Sequence, residues 1–300
     1  MNRKKFLKKA GLLSAGSAFS PVMLKWFMQE GQFTHIRDNV GYFTASGGTI
    51  GWFVDDDALV VVDSQFPDSA RTFLNGIDQY GGGPEKVLFN THHHGDHVGG
   101  NARFFDRGFA IYAHFNVLRL QRRAAEAQGN VGSQVYADNT FSDLFVMDAG
   151  DEQVIAKHYG PAHTGGDAVI RFDNSNVVHM GDLVFNRVYP FIDTDGGASI
   201  RGWISLLEDV VDESENDTMF IFGHGNEAFG VTGGRSDLLV MRDFLSELLE
   251  HTQQGLQAGK SREEITDVER FDDFPNHRSL NERLSLPANL NAAYHELTSD

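Results

Sequence analysis

Thr91-His92-His93-His94-Gly95-Asp96-His97 follows directly on the apolar run Lys86-Val87-Leu88-Phe89-Asn90. The run reads as a strand that ends in a short turn carrying four metal-ligand side chains: His92, His94, Asp96 and His97. His92 and His94 alternate along an extended segment and so share a face. Gly95 is expected to allow a sharp turn that swings Asp96 and His97 toward a neighbouring position. Imidazoles and a carboxylate make an N/O donor set that suits Zn²⁺, and Fe or Mn as well. A plain surface histidine cluster is the alternative, and three later segments count against it.

Those segments are Gly160-Pro161-Ala162-His163-Thr164-Gly165-Gly166-Asp167, His179-Met180-Gly181-Asp182-Leu183-Val184-Phe185, and Phe222-Gly223-His224-Gly225. Each follows or precedes a short apolar run, so its polar residue is expected where a strand meets a loop, a place from which a rigid sheet can present a site. With them in view, His92–His97 resembles the HxHxDH motif of the metallo-β-lactamase superfamily, and His163, Asp182 and His224 resemble that family's remaining ligands in the same chain order. The likeness covers roughly residues 35–250.

The resemblance implies an α/β fold, an αβ/βα sandwich of two mixed β-sheets flanked by helices. It implies one metal on His92, His94 and His163, a second on Asp96, His97 and His224, and Asp182 bridging both. It further implies two Zn²⁺ and hydrolysis by a shared hydroxide, with Asp96 as the catalytic carboxylate that orients it and assists the leaving group. The bond is an ester, thioester, lactone or amide, β-lactams included. The substrate is a small molecule.

Departures narrow the reading. β-Lactamases with a cysteine ligand carry it where this chain has Asp182, and carry a drug-binding lysine where this chain has Phe185. The ligand set is therefore more similar to that of glyoxalase II and the lactonases. The glutathione-binding helical region of glyoxalase II has no evident counterpart in the acidic tail after the last core helix. Persulfide dioxygenases, which use a single iron, are the rival reading within the same fold. The presence of both His97 and His224 favours two metals. The loop Phe185–Asp193 follows Asp182 at once and is expected to overhang the metals. Arg187 and Tyr189 in it, and Trp52 from the other side, are the candidate substrate contacts. Asp63, at the end of the buried run Ala58–Val62, is either a partner that orients a ligand histidine or a turn carboxylate.

Composition sets limits. The chain has 300 residues, 41% hydrophobic, enough for one large α/β domain with appendages. A net charge of −17 argues against nucleic acid as a partner. Cysteine is absent, which excludes disulfides and thiolate chemistry. Asn2-Arg3-Lys4-Lys5-Phe6-Leu7-Lys8 precedes a short Gly/Ala/Ser-rich run, the layout of a signal peptide, with a likeness to a twin-arginine export signal. Residues 1–30 are read as that leader or as an uncleaved membrane anchor. This implies a periplasmic or secreted protein that meets a membrane only through its N-terminus. The catalytic domain is expected over residues 31–255 and a helical extension over 256–300. Oligomeric state is not legible.

Strands are expected near 41–44, 49–54, 58–63, 86–91, 152–159, 168–173, 177–181 and 219–222. Helices are expected near 68–80 with Asp68 as N-cap, 97–105, 114–128, 201–214 and 236–253. A short helix should start at the capping-box pattern Ser261-Arg262-Glu263-Glu264.

Overall fold

A computed structural model describes residues 31–299, so the leader or anchor expected over residues 1–30 lies outside the described residues. Within them the chain forms the expected α/β sandwich. The first sheet runs in the order of the chain: β1 (Gln32–Arg37), β2 (Val40–Thr44), β3 (Ile50–Val54), β4 (Ala58–Val62), β5 (Glu85–Asn90), β6 (Ala110–His114) and β7 (Asn139–Phe141). β1 to β4 are antiparallel, and β4 to β7 are parallel, with Val62 opposite Phe89. The second sheet comprises β8 (Leu144–Ala149), β9 (Glu152–Lys157), β10 (Val169–Phe172), β11 (Val177–His179), β13 (Met219–Ile221) and β15 (Thr232–Gly233). A two-stranded piece pairs β12 (Phe185–Asn186) with β14 (His224–Gly225).

Three apolar layers hold the sandwich. β4 is an unbroken apolar run because both its faces are covered. Val60 and Val62 join Phe53, Phe89, Ile170, Phe172 and Ile221 between the sheets. Trp52, Val61, Leu88 and Ile111 face the helices Pro67–Ile77 and Phe115–Gln128 on the outside of the first sheet. Outside the second sheet lie the helices Ile200–Asp212 and Arg235–Gln257, which bury Trp203, Leu207, Phe244 and Leu248.

The C-terminal segment belongs to that outer layer. Phe271, Leu286, Leu290 and Ala293 share one cluster with Trp203 and Phe244. Each leucine fully buried there contributes about 1.5–3 kcal/mol. The boundary expected at residue 255 falls inside the helix Arg235–Gln257. The capping box forms as read: Glu264 N donates to Ser261 Oγ and Ser261 N to Glu264 Oε2.

Local differences have local causes. Phe66, not Asp68, occupies the N-cap of the helix Pro67–Ile77, because Pro67 can take the first helical position, where no N–H partner is needed. Asp68 pairs instead with Arg71 at 2.8 Å. The helix expected over 97–105 is broken at Gly99-Gly100 into Gly95–Val98 and Asn101–Phe105. Among the described residues no helix is long and apolar enough to cross a membrane.

Candidate metal centre

The C-terminal ends of β4, β5, β11 and β13 lie side by side, since β4 and β5 run parallel, as do β11 and β13. The chain leaving those ends supplies Asp63, the turn 91–97, Asp182 and His224. Parallel strands collect their following loops at one edge, the place where α/β sheets bind ligands.

All seven sequence-predicted metal residues meet there, in two groups. In the first, His94 Nδ1 lies 3.0 Å from His92 Nε2 and 3.1 Å from His163 Nε2. Asp182 Oδ2 stands 3.7 Å from each of those two Nε2 atoms. In the second, His97 Nε2 faces Asp96 Oδ2 at 3.6 Å and Asp182 Oδ1 at 3.1 Å. His224 Nε2 faces the same two oxygens at 3.1 and 3.4 Å. Asp182 thus offers one carboxylate oxygen to each group. The donor separations in the first group approach those of atoms held about 2.0–2.1 Å from one ion.

The residues present fit a pair of divalent cations. His97 Nε2 and Asp182 Oδ1 are buried without a hydrogen bond, although they face each other. Such orphaned polar atoms are rare and point to an unsatisfied ligand. Burial, and then neighbouring His97, hold His92 well below the usual histidine range. Burial, and then His94, bring His163 down to about 3. Both imidazoles therefore keep the lone pairs a cation needs. Burial works against charge on His97 and His224 too, but Asp182 and Asp96 outweigh it and hold His97 high and His224 at about 10. Positive charge is thus favoured on this side of the cluster, where a bound cation would take the place of those protons.

Each of four ligand rings is oriented by its other nitrogen. His92 Nδ1 meets Thr91 Oγ1 at 3.0 Å, and His163 Nδ1 donates to the Phe191 carbonyl at 2.7 Å. His97 Nδ1 donates to Asp63 Oδ2 at 2.7 Å, and His94 Nε2 lies 3.1 Å from Asp193 Oδ2. Asp63 is fully buried and also accepts from Thr91 N and Thr91 Oγ1, each at 2.8 Å. It is therefore the orienting partner rather than a turn carboxylate. Its φ of 65° and that of Gln65, 53°, place strained non-glycine residues beside the site.

Two glycines make room for ligands. A Cβ on Gly48 would meet the His97 ring at 2.2 Å, and one on Gly223 would meet Asp182 Oδ1 at 2.0 Å. Gly95, expected to be needed for the turn, is not: a Cβ there meets nothing within 4 Å, and its φ is not positive. His94 makes the turn through its extended backbone at the N-cap position of the short helix that follows.

The three candidate substrate contacts are not brought to the His/Asp cluster. Trp52 is 1% exposed and packs in the core beneath the helix Pro67–Ile77, against Tyr80. The pleat turns it to the outer face of β3, away from the strand ends. Tyr189 is buried against Phe244 and His277 in the outer layer. Arg187 is held by Asp237 at 2.7 Å and lies over the Phe229 ring, so its charge is already compensated. The loop Phe185–Asp193 does reach the histidine cluster, but through Phe185, Phe191 and Asp193 rather than through Arg187 and Tyr189. Phe185 stacks on His224 at 5.3 Å, and Phe191 lies 5.3 Å from His94 with the Arg283 guanidinium on its ring. The signal available for Asp193 was a carboxylate in the loop that leaves Asp182.

The model of the metallo-beta-lactamase superfamily matches residues 44–224, a span that takes in the turn 91–97, Asp182 and His224. The chain belongs to that superfamily. Within it, the chain is 30% identical over 132 residues to a hydroxyacylglutathione hydrolase of Crocosphaera subtropica, covering 43% of this chain and 44% of that protein. It is 33% identical over 132 residues to one of an Enterobacter species, covering 44% and 45%. The chain thus matches less than half the length of these curated relatives. Among solved structures, the stereoselective inverting sec-alkylsulfatase Pisa1 of a Pseudomonas species superposes with a TM-score of 0.72 at 13% identity, over 97% of this chain and 54% of that one. A metallo-beta-lactamase of Pontibacter korlensis gives 0.58 at 19% identity, over 72% of this chain and 99% of that one. At these identities the structural likeness speaks for the superfamily fold alone.

Proposed function

We propose that this superfamily member is a hydrolase with two Zn²⁺, acting on a small molecule that carries an ester, thioester, lactone or amide bond. The observation that carries the proposal is Asp182, whose two oxygens face two separate and complete ligand groups. When bound, such a pair of cations lowers the pKa of water from 15.7 to roughly 7 and polarises the oxygen under attack.

The protein's own residues supply orientation and exclusion. Asp96 has the most open carboxylate of the site, with 27% of its side chain exposed. Although burial works against its charge, His97 and His224 hold its carboxyl well below the usual carboxylate range, so it is suited to accept a hydrogen bond from a water entering the cleft and orient it. Phe185 and Phe191 cover the imidazoles from two sides and limit how many waters reach them. Asp63 and Asp193 hold the rings still. The hydroxyacylglutathione hydrolases among the relatives make a thioester the first bond to try.

The test is metal analysis of protein purified without added metal, together with chromogenic thioester, lactone and cephalosporin assays on the same sample. The expected result is about two zinc ions per chain and hydrolysis lost to a chelator. One iron per chain, with oxygen uptake and no hydrolysis, would overturn the proposal in favour of the persulfide dioxygenase chemistry. The complete group of Asp96, His97 and His224 speaks against that second reading.

A further inference from the structure

We propose that Asp193 is a positioning residue for the first cation: its carboxylate fixes the ring orientation and tautomer in which His94 offers Nδ1. The inference rests on reading His92, His94, His163 and Asp182 as a cation site, and no sequence motif marks Asp193.

His94 differs from the other two imidazoles of its group in the nitrogen it turns inward. His92 and His163 present Nε2 and tie Nδ1 to Thr91 and to the Phe191 carbonyl. His94 presents Nδ1, the atom 3.0 and 3.1 Å from its two companions. For a neutral His94 to keep a lone pair on Nδ1, its proton must sit on Nε2. Nε2 is the atom that faces Asp193 Oδ2 at 3.1 Å. A carboxylate there accepts that proton's hydrogen bond and disfavours the other tautomer, in which Nδ1 would be blocked.

Asp193 is held for this task. Its Oδ1 accepts from Gly196 N at 2.9 Å, and its carbonyl accepts from Ala198 N at 2.9 Å. Its own N–H reaches the His163 carbonyl at 3.3 Å, so the segment touches two of the three histidines of this group. Arg123 donates to the Asp195 carbonyl and fastens the segment to the helix Phe115–Gln128. His93, the middle residue of the motif, also points its Nε2 at Asp193 Oδ2, 3.4 Å away. That residue therefore braces Asp193 rather than binding a cation within either of the two groups.

The test is titration of the chelator-stripped full chain with Co²⁺ and Zn²⁺, for wild type, Asp193→Asn, and Asp193→Asn combined with His224→Ala or with His163→Ala. Thermal unfolding of the stripped proteins is followed alongside. The expected result is that Asp193→Asn weakens one of two cations roughly 10–100-fold and alters the Co²⁺ absorption of that cation, with the Tm of the stripped chain unchanged. The loss should persist beside His224→Ala, which disables the second group, and vanish beside His163→Ala, which disables the first. Equal affinities in wild type and Asp193→Asn overturn the inference. Equal weakening of both cations with a fallen Tm also overturns it, because that is a structural role. A wild-type chain that takes up no cation removes the metal reading and this inference together. A wild-type chain that binds two, with a variant that binds them alike, removes only the role of Asp193.

Discussion

The two halves of the metal centre are braced from opposite directions. The ring of His97 in the second half leans on Asp63, a buried carboxylate at the end of β4, the central strand of the first sheet. In the first half, two of three rings lean on the loop 190–196, through the Phe191 carbonyl and Asp193. That loop is in turn fastened by the C-terminal layer. Asn289 Nδ2 donates to the Pro190 carbonyl at 2.6 Å, and Tyr189 N to the Arg278 carbonyl at 3.1 Å. Arg283 lies on Phe191. One half is therefore set by the sheet core and the other by a layer added outside it. Strand ends in a packed core have no freedom to shift, whereas a loop is only as firm as what covers it. Asp63 reaches the first half through Thr91, whose N–H and hydroxyl it accepts and whose hydroxyl meets His92.

Asp182 joins the halves, so its loss should be the largest single effect. Asp182→Ala is expected to abolish binding of both cations and reduce hydrolysis to background, whereas His94→Ala and His224→Ala should each cost one cation. Cation content after dialysis distinguishes these cases. An Asp182→Ala chain that keeps one cation would show that the halves stand independently.

Asp63→Asn should act next most strongly, and mainly on the second half. Asparagine tolerates the positive φ of this position, so the change isolates the charge from backbone strain. The cation at His97 should weaken roughly 10–100-fold. Unfolding free energy should fall by about 1–3 kcal/mol, as Thr91 and His97 lose their shared acceptor. Paired cation titrations and urea unfolding check both numbers. If both cations weaken equally, the Thr91 link matters as much as the direct contact.

The outer layer has its own pH response. Burial, and then Arg187 and Arg278, lower His277 to about 4, and its ring stacks on Phe244 at 4.7 Å. An unfolded histidine titrates near 6.5. Between pH 6.5 and 4 the unfolded chain binds a proton that the folded chain does not. Stability from this residue is therefore complete above 6.5 and drains away as pH falls toward 4. Thermal unfolding of the metal-free chain should show this slope together with that of the buried His92 and His163, and His277→Phe should lessen it by one residue's share. An unchanged slope in that variant would remove His277 as a cause.

The smallest effect is expected from Asn289→Ala. It removes one donor from the Pro190 carbonyl and should cost about 0.5–1.5 kcal/mol. Affinity should weaken at the first half only, and by less than with Asp193→Asn. A change confined to the second half would contradict the assignment of the C-terminal layer to the first.

Much of the centre was legible because its ligands sit beside strand ends. Apolar runs followed at once by His, Asp or Gly-His place side chains at a sheet edge whatever the rest of the chain does. The same logic found β4, β5 and β11. It missed β1, β7 and β8, which are partly exposed, the short strand β6 ahead of the helix Phe115–Gln128, and the two-residue strands β12, β14 and β15. Leu144–Ala149 alternates exposed and half-covered residues, with Leu144 and Val146 open to solvent, so no apolar run marks it. It also misplaced Trp52, Tyr189 and Arg187. An aromatic or cationic residue near a motif looks alike whether it faces a cleft, a core or a buried carboxylate such as Asp237.

The sequence by itself determined which residues could bind cations, in what chain order, and that the scaffold is an α/β sandwich. Donor chemistry and strand periodicity are properties of short segments. Only the tertiary structure decided which nitrogen of each imidazole turns inward, that Asp193 and Asp63 are the carboxylates behind them, and that the tail belongs to the first half of the site. Those facts depend on contacts between residues as far apart as Asp193 and His94, or Asn289 and Pro190. Nothing in local sequence encodes such contacts until the sheets and the outer layer have packed.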